Sequence, residues 1–245
     1  MEIKPIAYIH TDLPTKFGLP RQSGLVEGLT GEIVLEPEYR QAEALRGLED
    51  FTHIWLIWDF SHAHTGRWSA TVRPPRLGGN TRMGVFATRS PFRPNNLGLS
   101  CVRLLRIDYD VPCGPVLIVG GIDMMDGTPI YDIKPYVPIA DCHPEASKGF
   151  SSRTQEHVLS VEFAPGLIEK VPENKREALI GILSQDPRPG YEDDPERRYG
   201  VEFAGMDVRF HVRGDVLKVC EIVPAGGAYS PKQGPKWQNM YPKVP

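Results

Sequence analysis

The sequence predicts a mainly β protein, with a small N-terminal β-barrel over residues 1–150 and a smaller C-terminal α+β domain over 151–245. Three observations predict it. Short runs rich in β-branched and aromatic residues follow one another through the first half, with one short helix pattern among them. The composition then shifts at Ile139 to Gln155, IADCHPEASKGFSSRTQ, a polar stretch without periodicity that suits a domain boundary. Beyond it a strand and a helix precede three strand-like runs joined by tight turns.

In order, Ile3 to His10 reads as a strand, ended by Pro14 through Gly18. Pro20-Arg21-Gln22-Ser23-Gly24 is a loop, and Gly31 to Leu35 is a second strand. Pro37 followed by EYRQAEALRG predicts a helix, with proline in its first turn and Gly47 as its stop. Phe51 to Phe60, FTHIWLIWDF, is almost continuously apolar and predicts a buried strand. Further strands are expected at Met83 to Thr88, Leu99 to Ile107, Pro115 to Ile122 and Pro129 to Val137. The C-terminal part has a strand at His157 to Phe163 and a helix around Asn174 to Leu183. A meander then turns at Ala204-Gly205 and Gly214-Asp215 and ends at Val223. Ile222 to Pro245 carries three lysines, no acid, and Trp237 and Tyr241, and reads as a tail.

The chain has 245 residues and a formal charge of −3. Its most distinctive stretch is Thr71 to Ser100, TVRPPRLGGNTRMGVFATRSPFRPNNLGLS, with Arg73, Arg76, Arg82, Arg89 and Arg93 and no lysine or acid. Setting those five arginines aside leaves 28 − 5 = 23 basic against 31 acidic residues, a balance of −8 elsewhere. The basic character is local, which suits the steering of an anionic ligand to one mouth and argues against a protein that coats nucleic acid indiscriminately. The structural alternative is that these arginines pair with acids elsewhere in the fold. Four prolines and four glycines make the stretch mostly loop.

Four scattered cysteines without CxxC spacing read as reduced thiols. The opening MEIKPIAYIH has no apolar leader and no later run approaches a membrane span, so a cytoplasmic protein without membrane or metal is expected. His62 and His64 have HxH spacing but lack further ligands at a recognisable distance, and a polar strand end is the simpler reading. No GxSxG elbow is present. VLIVGGIDMMDG at Val116 to Gly127 has a glycine turn, but another strand follows it where a dinucleotide fingerprint needs a helix. Asp126-Gly127-Thr128-Pro129 is a turn whose carboxylate and free amides could bind hydroxyls or an adenine, or simply a turn former. Asp132, Lys134 and Tyr136 alternate along one strand and share a face; they form either a wet face or a proton-handling surface.

PRQ-x-GLV from Pro20, RGLEDFTHIW, the arginine-rich stretch, DGTPIYDIKPY and the late QDPRPGY together resemble the TrmO (TsaA) family, over about residues 1 to 223. That family methylates threonylcarbamoyladenosine beside the tRNA anticodon with S-adenosylmethionine (AdoMet). The resemblance implies a β-barrel catalytic domain, a smaller C-terminal α+β domain and a homodimer. It also implies an AdoMet site of Pro20, Arg21, Gln22, Ser61, His62, Arg89, Leu99, Asp126, Gly127, Thr128 and Pro129. One departure is Asn96 in RPNNLG, where the family often has proline.

The chemistry fits these residue types. Arginine forks onto a carboxylate, and an acid accepts from ribose hydroxyls. The acceptor nitrogen is a poor nucleophile, so it must be held in line and its proton taken away. Asp132 or Tyr136 is the expected proton acceptor, with Lys134 orienting substrate. Arg73, Arg76 and Arg93 are expected on tRNA phosphates, Arg188 and Tyr191 on the anticodon loop, and Asn95 among the substrate-binding residues. The rival readings are a non-catalytic RNA-binding adaptor and a small-metabolite methyltransferase.

Overall fold

The computed structural model describes residues 2–64, 66–74, 81–147, 149–150, 158–188 and 194–226. Six antiparallel pairings close a barrel in the order β1-β2-β7-β6-β3-β8, with β8 returning to β1. Its strands are β1 (Ala7–Thr11), β2 (Thr30–Leu35), β3 (His53–Asp59), β6 (Leu97–Asp108), β7 (Val116–Gly120) and β8 (Thr128–Pro135). Alternation puts Ile9, Ile33, Ile54, Leu56, Val102, Leu117, Val119 and Ile130 inside, each no more than 1% exposed. Trp58, near the end of β3, is buried in the same core. Its ring lies so close over Gly98 that a Cβ there would stand 2.2 Å from it, so only glycine fits.

A β-bulge breaks the alternation of β8. Trp58 pairs with Ile130 but Ile57 pairs with Asp132, leaving Tyr131 as the extra residue. The bulge turns Asp132 to the outer face and returns Ile133 to the core.

Two expected elements differ. The helix expected after Pro37 is instead a series of 3-10 turns, Pro37–Tyr39, Ala42–Leu45 and Leu48–Asp50. Leu45 is their one buried residue, so no apolar stripe holds a longer helix down, and Arg40 Nε bonds the Leu35 carbonyl at 2.8 Å. The strand expected at Met83 to Thr88 stops after β5 (Met83–Gly84), which among the described residues pairs with β4 (Thr71–Val72) alone. The hydroxyl of Thr88 donates to the Val85 carbonyl at 2.9 Å and closes a 3-10 turn at Val85–Ala87.

After the short α1 (Pro138–Asp141) the second sheet runs β10-β11-β12-β9, from β9 (Ser160–Phe163), β10 (Tyr199–Phe203), β11 (Met206–Arg213) and β12 (Val216–Pro224). Helix α2 (Glu173–Ser184) buries Ala178, Leu179, Ile182 and Leu183 in the same core as the sheet's Val201, Phe203 and Phe210. That core is continuous with the barrel's. A Cβ at Gly181 would stand 2.5 Å from Val26, and one at Gly18 would stand 2.8 Å from Val201. Lys175 of α2 pairs with Asp12, and the Ala204 amide bonds the Asp12 carbonyl at 2.9 Å. The C-terminal part thus presses on residues 12 to 29, the segment that carries Pro20 to Gly24. Among the described residues no helix is long and apolar enough to cross a membrane.

Candidate active site

The Pro20-to-Gly24 loop is pinned to the end of β7, where the Gly24 amide bonds the Gly121 carbonyl at 2.8 Å. Gly121 has φ 71°, and a Cβ there would stand 3.3 Å from the Gly24 backbone. So held, Gln22 accepts a bond from Arg89 Nη1 at 2.6 Å, joining two stretches of the expected cofactor site 67 residues apart. Arg21 Nη2 reaches the Asp186 carbonyl at 3.4 Å, which brings in the turn of QDPRPGY.

Beneath this loop lies a residue that sequence reasoning missed. Asp123 accepts the Ser100 hydroxyl at 2.7 Å, and Ser100 accepts the Trp58 indole N–H at 3.0 Å. Burial pushes the Asp123 carboxyl above the usual carboxylate range, and Ser100, backbone amides including that of Ser23, and the Arg89 charge pull it partly back. Its signal was the first of two acids in GGIDMMDG, but its surroundings come from β3 and β6 and from the loop at Ser23.

The Asp126 turn corrects one expectation. Its amides are not free: those of Asp126, Gly127 and Thr128 bond the carbonyls of Leu13, Ile9 and Met125 at 2.9, 2.8 and 3.3 Å. Asp126 Oδ1 accepts the Thr11 amide at 2.9 Å and stands 3.4 Å from Nδ1 of buried His10. The turn therefore fastens the end of β1. Ser61 and His62 sit in a 3-10 turn after β3, with the His62 carbonyl accepting Lys16 Nζ at 2.7 Å. His64 donates to buried Asp59 at 2.7 Å. Burial, then Asp59, which its hydroxyl also meets, push the Tyr131 phenol up. Among the described residues no group of three or more His, Cys, Asp or Glu is placed to hold a metal.

On the outer face of the barrel, Leu99, Ile57 and Asp132 form one row across β6, β3 and β8, and Cys101, Trp55 and Lys134 form the next. Leu99 is 53% exposed there. Lys134 Nζ stands 2.9 Å from Asp132 Oδ2, and Asp132 Oδ1 accepts the Ile133 amide at 2.9 Å. Tyr136, just past the strand, packs on Trp55 and His53 with ring centroids 5.8 and 6.2 Å apart. Burial raises its phenol's pKa, and Cys142, Cys101 and Asp141 raise it further.

Of the residues expected on RNA, Arg76 and Tyr191 lie outside the described residues. Arg73 and Asn95 are exposed. Arg93 Nη1 donates to the carbonyls of Thr88 and Ser90 at 3.1 and 3.5 Å, neutral partners that leave its charge uncompensated. Arg188 is forked onto Asp186 through two 2.9 Å bonds, which compensate its charge and use two of its five N–H donors. Asn96 Nδ2 donates to the Pro91 carbonyl at 2.6 Å, a tie that holds the turn where proline would otherwise stiffen it.

A family profile described as the tRNA-methyltransferase O N-terminal domain matches residues 8–142, and one described as the TrmO C-terminal domain matches residues 156–225. The chain is similar to the tRNA (adenine(37)-N6)-methyltransferase of Escherichia coli K12, with 39% identity over 91% of this chain and 98% of that protein. It is 40% identical, over 92% of itself and 98% of the relative, to a Pseudomonas aeruginosa protein, RcsF, whose name classes it with S-adenosylmethionine-dependent methyltransferases. The crystal structure of TrmO from Pseudomonas aeruginosa superposes with a TM-score of 0.74 at 34% identity, covering 91% of this chain and 98% of that one.

Proposed function

The chain belongs to the tRNA-methyltransferase O family, and we propose that it methylates the exocyclic N6 nitrogen of threonylcarbamoyladenosine beside a tRNA anticodon, using AdoMet and acting as a homodimer. AdoMet supplies a methyl group on a sulfonium, open to a nitrogen lone pair. One observation carries the reading: Arg73, Arg82, Arg89 and Arg93 make no ion pair with a carboxylate among the described residues. Arg89 in particular bonds a neutral amide oxygen and stands in no ion pair among the described residues, its charge reaching Asp123 only at longer range, so it can fork onto an incoming carboxylate such as the amino-acid end of AdoMet. Pro20, Arg21, Gln22, Ser61, His62, Leu99 and the Asp126-to-Pro129 turn complete the proposed cofactor set, the turn through the partly exposed Asp126 carboxylate and not through its bonded amides.

Within this reading Asp132 takes the proton that the acceptor nitrogen sheds, and Lys134 balances the charge of that carboxylate. Asp132 stands in one row with Leu99, two strand spacings or about 10 Å away. A tyrosine phenol is protonated near neutral pH and the shift of Tyr136 is upward, which suits a hydrogen-bond donor better than a base. Asp132→Asn should lower single-turnover methylation by about 10²-fold or more with AdoMet affinity intact, and Tyr136→Phe should matter much less. If both variants keep the wild-type rate, the proton acceptor lies elsewhere. The activity itself is tested by mass spectrometry of digested tRNA from cells with and without the protein. A gain of one methyl on threonylcarbamoyladenosine supports the reading, and methyl found on unmodified adenosine, or on no nucleoside, refutes it. Sedimentation tests the dimer.

A further inference from the structure

Trp68 and Phe86 are 54% and 73% exposed, yet they stack on each other with centroids 6.4 Å apart and planes 22° from parallel. Large aromatics left together in water signal a surface that meets something. The β4–β5 hairpin sets the pair up. The Val85 amide bonds the Ala70 carbonyl at 3.0 Å, and Val85 is buried, so the chain on either side turns Trp68 and Phe86 outward. Phe92 nearby in sequence is a further exposed ring at 46%.

The charge around the rings selects the partner. Between Asp59 and Asp108 the sequence holds eight arginines and neither an acid nor a lysine. Arg82 of this hairpin donates from Nη1 to the Thr71 hydroxyl at 2.7 Å, which fixes the guanidinium beside the strands without neutralising it. Exposed Arg73 follows β4 directly. Exposed π-faces beside uncompensated guanidiniums suit a splayed, single-stranded nucleic acid, whose bases stack and whose phosphates need cations. A second copy of this chain is disfavoured, because a two-fold contact would set the arginine-rich face against itself.

We propose that Trp68 and Phe86 form a stacking platform for an unpaired RNA base flanking the methylated nucleotide, with Arg82 and Arg73 on the adjoining phosphates. This rests on the tRNA-methyltransferase reading above. The test uses the full chain, an anticodon stem-loop RNA followed by fluorescence anisotropy across a salt series, and AdoMet binding by calorimetry. Trp68→Ala and Phe86→Ala should each weaken RNA binding about tenfold, with AdoMet affinity unchanged and Trp68→Phe restoring most of the loss. The slope of log affinity against log salt should stay at the wild-type value in those variants and shrink by about one in Arg82→Ala. RNA affinity equal to wild type in Trp68→Ala and Phe86→Ala would overturn the platform. So would loss of the oligomer in sedimentation, which would assign the rings to a second copy. Failure of the wild-type protein to bind or methylate tRNA is a different result, and it removes the underlying reading together with this one.

Discussion

The arginines of the 71–100 stretch and those of the C-terminal sheet are chemically identical and are held in opposite ways. On the sheet, Arg198 and Arg209 share Glu221, Arg209 also meets Asp207 at 2.8 Å, and Arg213 meets Glu196 at 2.7 Å. In the loop, Arg82 bonds a threonine hydroxyl, Arg89 a glutamine oxygen and Arg93 two backbone carbonyls. Neutral acceptors fix the direction of a guanidinium and leave its charge to act on a ligand, whereas a carboxylate uses that charge up. Arginine content alone therefore does not mark a binding surface; the type of partner does.

Substitutions can break this contrast. Arg89→Ala should have the largest effect, lowering AdoMet affinity by about 10- to 100-fold by calorimetry, the scale of one lost hydrogen bond to a charged group, with the melting temperature almost unmoved. Arg93→Ala should act on RNA instead, with a salt slope smaller by about one and AdoMet affinity intact. The reverse pattern in these two variants would undo the division of labour between them.

Asp123→Asn sharpens the comparison from the acidic side, because burial raises this carboxyl while Ser100, backbone amides and, least, the Arg89 charge pull it back. A carboxyl raised in the folded state binds more protons there than in the unfolded chain. Its contribution to stability therefore falls as pH rises from the unfolded value of about 4 through the raised value. The wild type should lose melting temperature relative to Asp123→Asn across that window and no further above it. Parallel curves would show that burial does not shift this group. The smallest effect is expected on the sheet, where Arg209→Ala should leave methylation within about twofold of wild type. A larger loss of methylation there, with RNA binding weakened in step, would mean that compensated arginines also serve the substrate.

The barrel was legible in the sequence because its strands are short runs rich in β-branched and aromatic residues between turns, as in the continuously apolar and fully buried VLIVG of β7 or the almost continuously apolar run that becomes β3. The helix after Pro37 misled because EYRQAEALRG has helix-forming residues without an apolar stripe, and short helices depend on what they pack against. The count of arginines in the 71–100 stretch was legible as well, together with the motifs Pro20-Arg21-Gln22 and Asp126-Gly127-Thr128-Pro129.

Composition and local pattern thus determined the strands, the glycine turns and the concentration of positive charge, all of which depend on neighbours along the chain. Tertiary structure alone decided that Arg89 would meet Gln22, that Asp123 would be buried under Ser100 and Trp58, and that a bulge would turn Asp132 outward. Those outcomes depend on which distant strands lie side by side, and a side chain's charge is set by the groups that surround it in space.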